Sequence, residues 1–189
     1  MTAYFRSSLS NFLIIPDEIV LAKLTSAYSR DGFKTQYTSA TIAWVVTLPN
    51  LRAELEQLVK TAPYAASWQV LLEYPLYRLR RRIDAVILTP SRVLVIELKT
   101  GAHSFEVADK RQAIEYAQDL RDFHSESKQA HLIPVLWSMR ADGSIPEAAA
   151  DASVPGVGKL CLVGSEGIAT LVLQVGGLAG FASNAASDA

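Results

Sequence analysis

Residues 79–101, LRRRIDAVILTPSRVLVIELKTG, decide how this chain folds. Two apolar runs rich in Val and Ile, Ile83 to Leu88 and Val93 to Leu98, flank Thr89-Pro90-Ser91-Arg92. That is the pattern of two strands joined by a short turn. With residues 89–92 as the loop, Leu88 falls opposite Val93, Val86 opposite Val95, and Asp84 opposite Glu97. Directly opposed residues have Cβ atoms about 4.5–5.5 Å apart. Side chains alternate along a strand, so Lys99 shares a face with Glu97. An aspartate, a glutamate and a lysine thus converge on one face of an otherwise apolar strand pair.

Two carboxylates held so close repel each other, and burying them without a partner is costly. A divalent cation that binds both removes the conflict. Mg²⁺ is usually held by one or two carboxylates, with water and substrate phosphate oxygens completing its shell. A lysine beside it can stabilise an attacking hydroxide or the charge on a pentavalent phosphate. The constellation predicts phosphodiester hydrolysis with Mg²⁺ or Mn²⁺ as cofactor. On its own a D/E-x-K tripeptide is most often a solvated strand face. Here it ends an apolar strand, has an aspartate opposite, and is followed by helix signals.

Asp84 followed by Glu97-Leu98-Lys99 resembles the signature of the PD-(D/E)xK nuclease superfamily, and Gln112-Ala-Ile-Glu-Tyr116 resembles the Q-x-x-x-Y helix motif of its RecB-like branch. A closer likeness spans residues 65–138 and rests on Glu73-Tyr74-Pro75, Arg81-Arg82-Ile83-Asp84, Tyr116-Ala117-Gln118-Asp119-Leu120 and Phe123-His124. These segments look like the nuclease-like module that precedes the ATPase in bacterial Schlafen-type DNA/RNA helicase-domain proteins. The resemblance implies an α/β fold, a mixed central sheet flanked by helices, with a restriction-endonuclease-like αβββαβ core. It implies Asp84, Glu97 and the Leu98 carbonyl as metal ligands, Lys99 assisting the nucleophilic water, and Gln112 and Tyr116 supporting substrate or lysine. No helicase sequence follows, so a separate helicase or ATPase subunit is the expected partner. Nucleic acid is the expected substrate, DNA in preference to RNA. The alternative is a catalytically silent module that recruits nucleic acid to a helicase.

Outward from this centre, Trp68 to Tyr74 reads as the first core strand, with Trp68, Val70, Leu72 and Tyr74 facing one way and Gln69, Leu71 and Glu73 the other. Glu73 reaches the edge of Asp84 if the strands pair, either as a third acid or as the partner of a nearby arginine. Arg78, Arg80, Arg81 and Arg82 are either phosphate contacts or a solvated charge run. Downstream, Asp109 is a candidate cap for a helix whose inner face carries Ala113, Tyr116, Ala117, Leu120 and Phe123. Gln112 and Tyr116 lie four apart, as neighbours on that helix. His124 near its end suits a C-terminal dipole partner.

Length and charge bound the rest. At 189 residues and 50% hydrophobic, one domain is expected, over 1–178, with a disordered tail at 179–189. A formal net charge of −1 argues against a broadly basic coat, so phosphate contacts must be local. The single Cys161 excludes an intrachain disulfide, and no Cys/His cluster suggests zinc. Phe12-Leu13-Ile14-Ile15 is too short for a signal-peptide core, so a cytoplasmic protein without membrane association is expected. Asp17 opens a helix to about Tyr28 with Ile19, Val20, Leu24 and Tyr28 inward. Thr41 to Leu48 is ambiguous; Pro49-Asn50 is expected to break the chain before a helix with Leu51, Leu55, Leu58 and Val59 on one stripe. Pro134 places the strand Leu132–Trp137 at an edge or bulge. Residues 141–158 read as a mobile loop, and Leu160–Val163 with Ile168–Val175 as a closing hairpin. Gly156-Val-Gly158-Lys159-Leu160 fails as a Walker A loop, since Ser153 and Leu160 stand where Gly and Ser or Thr belong.

Overall fold

The computed structural model describes residues 3–30, 37–76, 80–143 and 155–175. The expected tail and Arg78 lie outside these residues, as does 144–154 of the expected loop. Among the described residues a six-stranded sheet runs in chain order: β1 (Phe5–Ser8), β2 (Gln69–Leu76), β3 (Arg81–Leu88), β4 (Val93–Lys99), β5 (Leu132–Ser138) and β6 (Cys161–Val163). The first four are antiparallel neighbours; β4, β5 and β6 are parallel. The helices are α1 (Leu9–Ile14), α2 (Asp17–Arg30), α3 (Tyr37–Thr61), α4 (Val107–Phe123) and α5 (Ala169–Val175). The chain is therefore an α/β protein with helices on both faces of a mixed sheet. Its centre runs α3-β2-β3-β4-α4-β5.

The hairpin has the register its sequence dictates. Val86 pairs with Val95 and Leu88 with Val93, and the Thr89 N–H donates to the Arg92 carbonyl at 3.0 Å to close the turn. Alternation then sorts the core. Val70, Leu72, Ala85, Ile87, Leu94 and Ile96 pack with α1, α2, α3 and α5. Leu71, Val86 and Val95 pack with Tyr116, Ala117 and Leu120 of α4 on the other face. That second face carries Glu97 and Lys99 onward from Val95.

Several expectations are corrected. Tyr74 packs with Leu71, not with Val70 and Leu72, because Glu73 between them has φ +52° and inverts the alternation. Pro49 does not break the chain but sits inside α3. Pro49 and Val45, whose carbonyl loses its donor, are both exposed, so water can take that carbonyl. Asn50 caps nothing; its Nδ2 donates back to the Val46 carbonyl at 2.8 Å. Leu51, Leu55 and Leu58 are buried as expected, whereas Ile19 and Phe123 are exposed.

Pro134 occupies an interior strand, between β4 and β6. Leu132 bonds both ways with residues 156 and 158 on the β6 side. Pro134, two residues on, faces the same side where no ladder exists between that bridge and the start of β6 at Cys161. The missing N–H therefore costs nothing. The expected closing hairpin is a parallel strand followed by helix α5. Its start is fixed by Glu54, whose Oε2 accepts from the Ala169 N–H at 3.0 Å.

The helix expected from Asp17 is α2, and the segment before it, for which the sequence offers no element, is tied down by Arg52 of α3. Its guanidinium donates to the carbonyls of Phe12 and Ile15 and to the Asp17 carboxylate, satisfying groups at the end of α1 and the start of α2. No helix among the described residues is long and apolar enough to cross a membrane.

Pro49 gives a direct check on α3. Removing a proline from a helix interior gains up to about 3 kcal/mol, less about 1 kcal/mol for the freer unfolded chain. Pro49→Ala should therefore raise the free energy of chemical unfolding by roughly 1–2 kcal/mol, seen as a higher midpoint at unchanged slope. A midpoint that falls would mean the helix is broken there.

Candidate functional site

The β3–β4 ladder ends at Ala85 and Ile96, while β2 and β3 stay paired out to Leu76 and Arg81. Beyond Ile96 the two hairpin strands diverge. A cleft of about 680 Å³ opens there between α3 and α4, lined among others by Trp44, Thr47, Glu73, Asp84, Leu98, Gln112 and Tyr116, with Arg80, Arg81, Arg82 and Arg111. Asp84 bridges the divergence: its Oδ2 accepts the Leu98 N–H at 2.8 Å, in place of a ladder carbonyl. Glu97 is buried behind the lining, 4% exposed.

Burial holds the Asp84 carboxyl well above the usual carboxylate range, helped by the charges of Glu97 and Glu73 and opposed by the Leu98 N–H. Burial also raises Glu97, against the pull of the Lys99 ammonium and of a hydrogen bond with the Asp84 carboxyl. Lys99 Nζ lies 3.0 Å from Glu97 Oε1. Glu97 Oε2 is buried, and no N–H or hydroxyl donates to it. Such an oxygen is costly unless something occupies it. A divalent cation fits these residues: two adjacent carboxylates, one with a dry oxygen that no N–H reaches, beside a cleft of about 680 Å³.

The other expected residues are placed as follows. Glu73 stands opposite Asp84 but turns away from it: Oε1 accepts from Trp44 Nε1 at 2.6 Å and Oε2 pairs with Arg82 Nε at 2.7 Å. Arg82 also lies over the Tyr28 ring, 5.0 Å from its centroid. Both groups of that pair are mostly buried, so each is committed to the other. Arg81 pairs with Glu115 at 2.7 Å. Arg80 and Arg111 are exposed and have no ion pair among the described residues. Gln112 Nε2 donates to Tyr116 Oη at 2.8 Å, and Lys99 Nζ donates to Gln112 Oε1 at 3.4 Å. Burial and the Glu97 charge push the Tyr116 hydroxyl up to about 12, so it stays a neutral donor. His124 is the C-cap of α4 and bonds Ser127.

Sequence reasoning missed Trp44 and Thr47, since their segment had no clear period; Thr47 Oγ1 lies 2.8 Å from Thr100 Oγ1 just past Lys99. It also misread Asp109, which is not the helix cap. Glu106 holds that position, and Asp109 Oδ1 pairs with Lys99 Nζ at 3.0 Å. Among the described residues no group of three or more His, Cys, Asp or Glu is arranged to hold a metal; two carboxylates are the most that Asp84 and Glu97 offer. Comparison of the chain with protein-family models, curated proteins and solved structures finds no match in any of the three.

The raised Asp84 has a consequence for stability. The folded protein holds this proton more tightly than the unfolded chain, whose aspartate has the ordinary value 3.8. Its contribution is therefore full below about pH 3.8 and fades as pH rises through the higher folded value. Asp84→Asn keeps an oxygen for the Leu98 N–H and removes the titration. In chelator, the stability of this variant relative to the parent chain should climb over the pH range above the ordinary aspartate value of 3.8. A difference that is flat over that range would show that Asp84 is not held protonated.

Proposed function

We propose that this chain hydrolyses phosphodiester bonds of nucleic acid, DNA in preference to RNA, with Mg²⁺ or Mn²⁺ held by Asp84 and Glu97. The observation that carries the reading is Glu97 Oε2, buried beside Asp84 and reached by no N–H, at a cleft rimmed by arginines. The ion, when bound, supplies an activated water and charge stabilisation at the phosphate. The chain's own residues do the rest. The Leu98 N–H fixes the Asp84 carboxylate, and the Leu98 carbonyl is a further candidate ligand. Lys99 presents a permanently charged ammonium, because Glu97 and Asp109 outweigh the burial that works against its charge. Arg80 and Arg111 offer guanidinium groups to backbone phosphates at the rim. Water adds to phosphorus and a P–O ester bond breaks, leaving a phosphate monoester and a free hydroxyl.

Binding without cleavage is the second reading, favoured by the lack of a third ligating side chain among the described residues and by the engagement of Glu73 with Arg82. In that case the module would recruit nucleic acid to a separate helicase or ATPase. Either way the cations free to meet a strand are few, so intrinsic grip at physiological salt should be weak. A partner that holds the strand would raise its effective concentration at the cleft.

Cleavage assays on single- and double-stranded DNA and RNA with Mn²⁺ test the reading. Asp84→Asn and Glu97→Gln should each lower the rate by at least about a hundredfold, and metal-dependent cleavage that survives both would remove the site. Replacing Arg80 and Arg111 by Ala should reduce the salt slope of binding by about 0.7 to 0.9 per lost phosphate contact. An unchanged slope would return them to a solvated face.

A further inference from the structure

Lys99 does not stand free beside the two acids. Its Nζ is shared between Glu97 Oε1 at 3.0 Å, Asp109 Oδ1 at 3.0 Å and Gln112 Oε1 at 3.4 Å, using the three donors an ammonium has. Asp109 comes from the first turn of α4 and is not part of the Asp84–Glu97 pair. Its side chain is 20% exposed and that of Lys99 27%, so this contact lies nearer the solvent than Glu97, whose side chain is 4% exposed.

This arrangement matters once Glu97 takes a cation. A divalent ion on Glu97 withdraws the negative charge that holds Lys99 and repels the ammonium as well. With Glu97 as its only counter-ion, Lys99 would compete with the metal for that carboxylate, and metal binding would expel it. A second carboxylate on a different element changes the balance: Lys99 keeps a partner and a position while Glu97 is given up. We propose that Asp109 is a positioning residue that retains the Lys99 ammonium at the edge of the site and so frees Glu97 for a divalent cation. The inference rests on the metal-dependent reading of the Asp84–Glu97 pair and adds the helix-borne group that makes the pair available.

Calorimetric titration with Mn²⁺ alone, without nucleic acid, tests it in four chains: the parent, Asp109→Asn, Lys99→Met and the double variant. Groups that support a metal ligand from behind commonly change affinity by 10- to 100-fold. Asp109→Asn should weaken Mn²⁺ binding on the order of tenfold. In the Lys99→Met background the same substitution should cost no more than about twofold, the scatter expected of independent sites. Asp109→Glu, which keeps the carboxylate, should restore most of the affinity and guards against a fold defect in the Asn variant. An equal loss in both backgrounds would mean Asp109 acts only as bulk negative charge and overturns the inference, as would no loss in either or no rescue by Glu. No Mn²⁺ binding by the parent chain would overturn the metal-dependent reading itself and this inference with it.

Discussion

The ladder between β3 and β4 stops one residue pair short of the two acids, and the Leu98 N–H turns to the Asp84 carboxylate instead. The cleft depends on that substitution. If the ladder continued, Asp84 and Glu97 would lie across a flat sheet, with no space between α3 and α4 for a ligand. Because it stops, the strands diverge, Asp84 is fixed by a main-chain donor, and Glu97 is carried into a dry position next to it. Removing two carboxylates from water costs several kcal/mol each unless partners compensate. The Leu98 N–H and Lys99 compensate in part, and no N–H reaches Glu97 Oε2.

The surrounding elements maintain this arrangement from both sides. From α3, Trp44 holds one oxygen of Glu73 and Thr47 meets Thr100, so the helix grips both β2 and the end of β4. From α4, Asp109 and Gln112 reach Lys99. Glu73 has a backbone conformation uncommon outside glycine, and its ion pair with Arg82 is buried. Such a pair is costly to break because one charge would be left alone. It holds Glu73 turned away from Asp84 while leaving its charge close enough to raise the Asp84 carboxyl.

What was legible in the sequence follows from range. The hairpin could be read because apolar residues alternate on both strands around a short turn. Its register brings Asp84 and Glu97 to the same end, but does not show that the ladder stops at Ala85 and Ile96 and that Asp84 takes the Leu98 N–H. The Gln112–Tyr116 contact was legible as well, since helical spacing makes it local. Contacts between elements far apart in sequence were not. Nothing local distinguishes Asp109 as a lysine partner from Asp109 as a cap, or Glu73 as a third acid from Glu73 paired with Arg82. Prolines misled for a related reason. Pro134 lacks an N–H in a gap of the ladder where none is needed, whereas Pro49 does cost α3 a hydrogen bond, on a face where water can take the Val45 carbonyl. Short elements such as β1 and α1 carry too little pattern to read, and depend on β2 and Arg52 for their place.

Anomalous diffraction from crystals soaked in Mn²⁺ would show whether Asp84 and Glu97 together hold a divalent cation. The proposed site calls for a single strong peak about 2.0–2.3 Å from one oxygen of each carboxylate, Glu97 Oε2 among them. A soaked crystal with no peak between these two residues, or with one only at acids elsewhere such as the exposed Asp122 of α4, would contradict it.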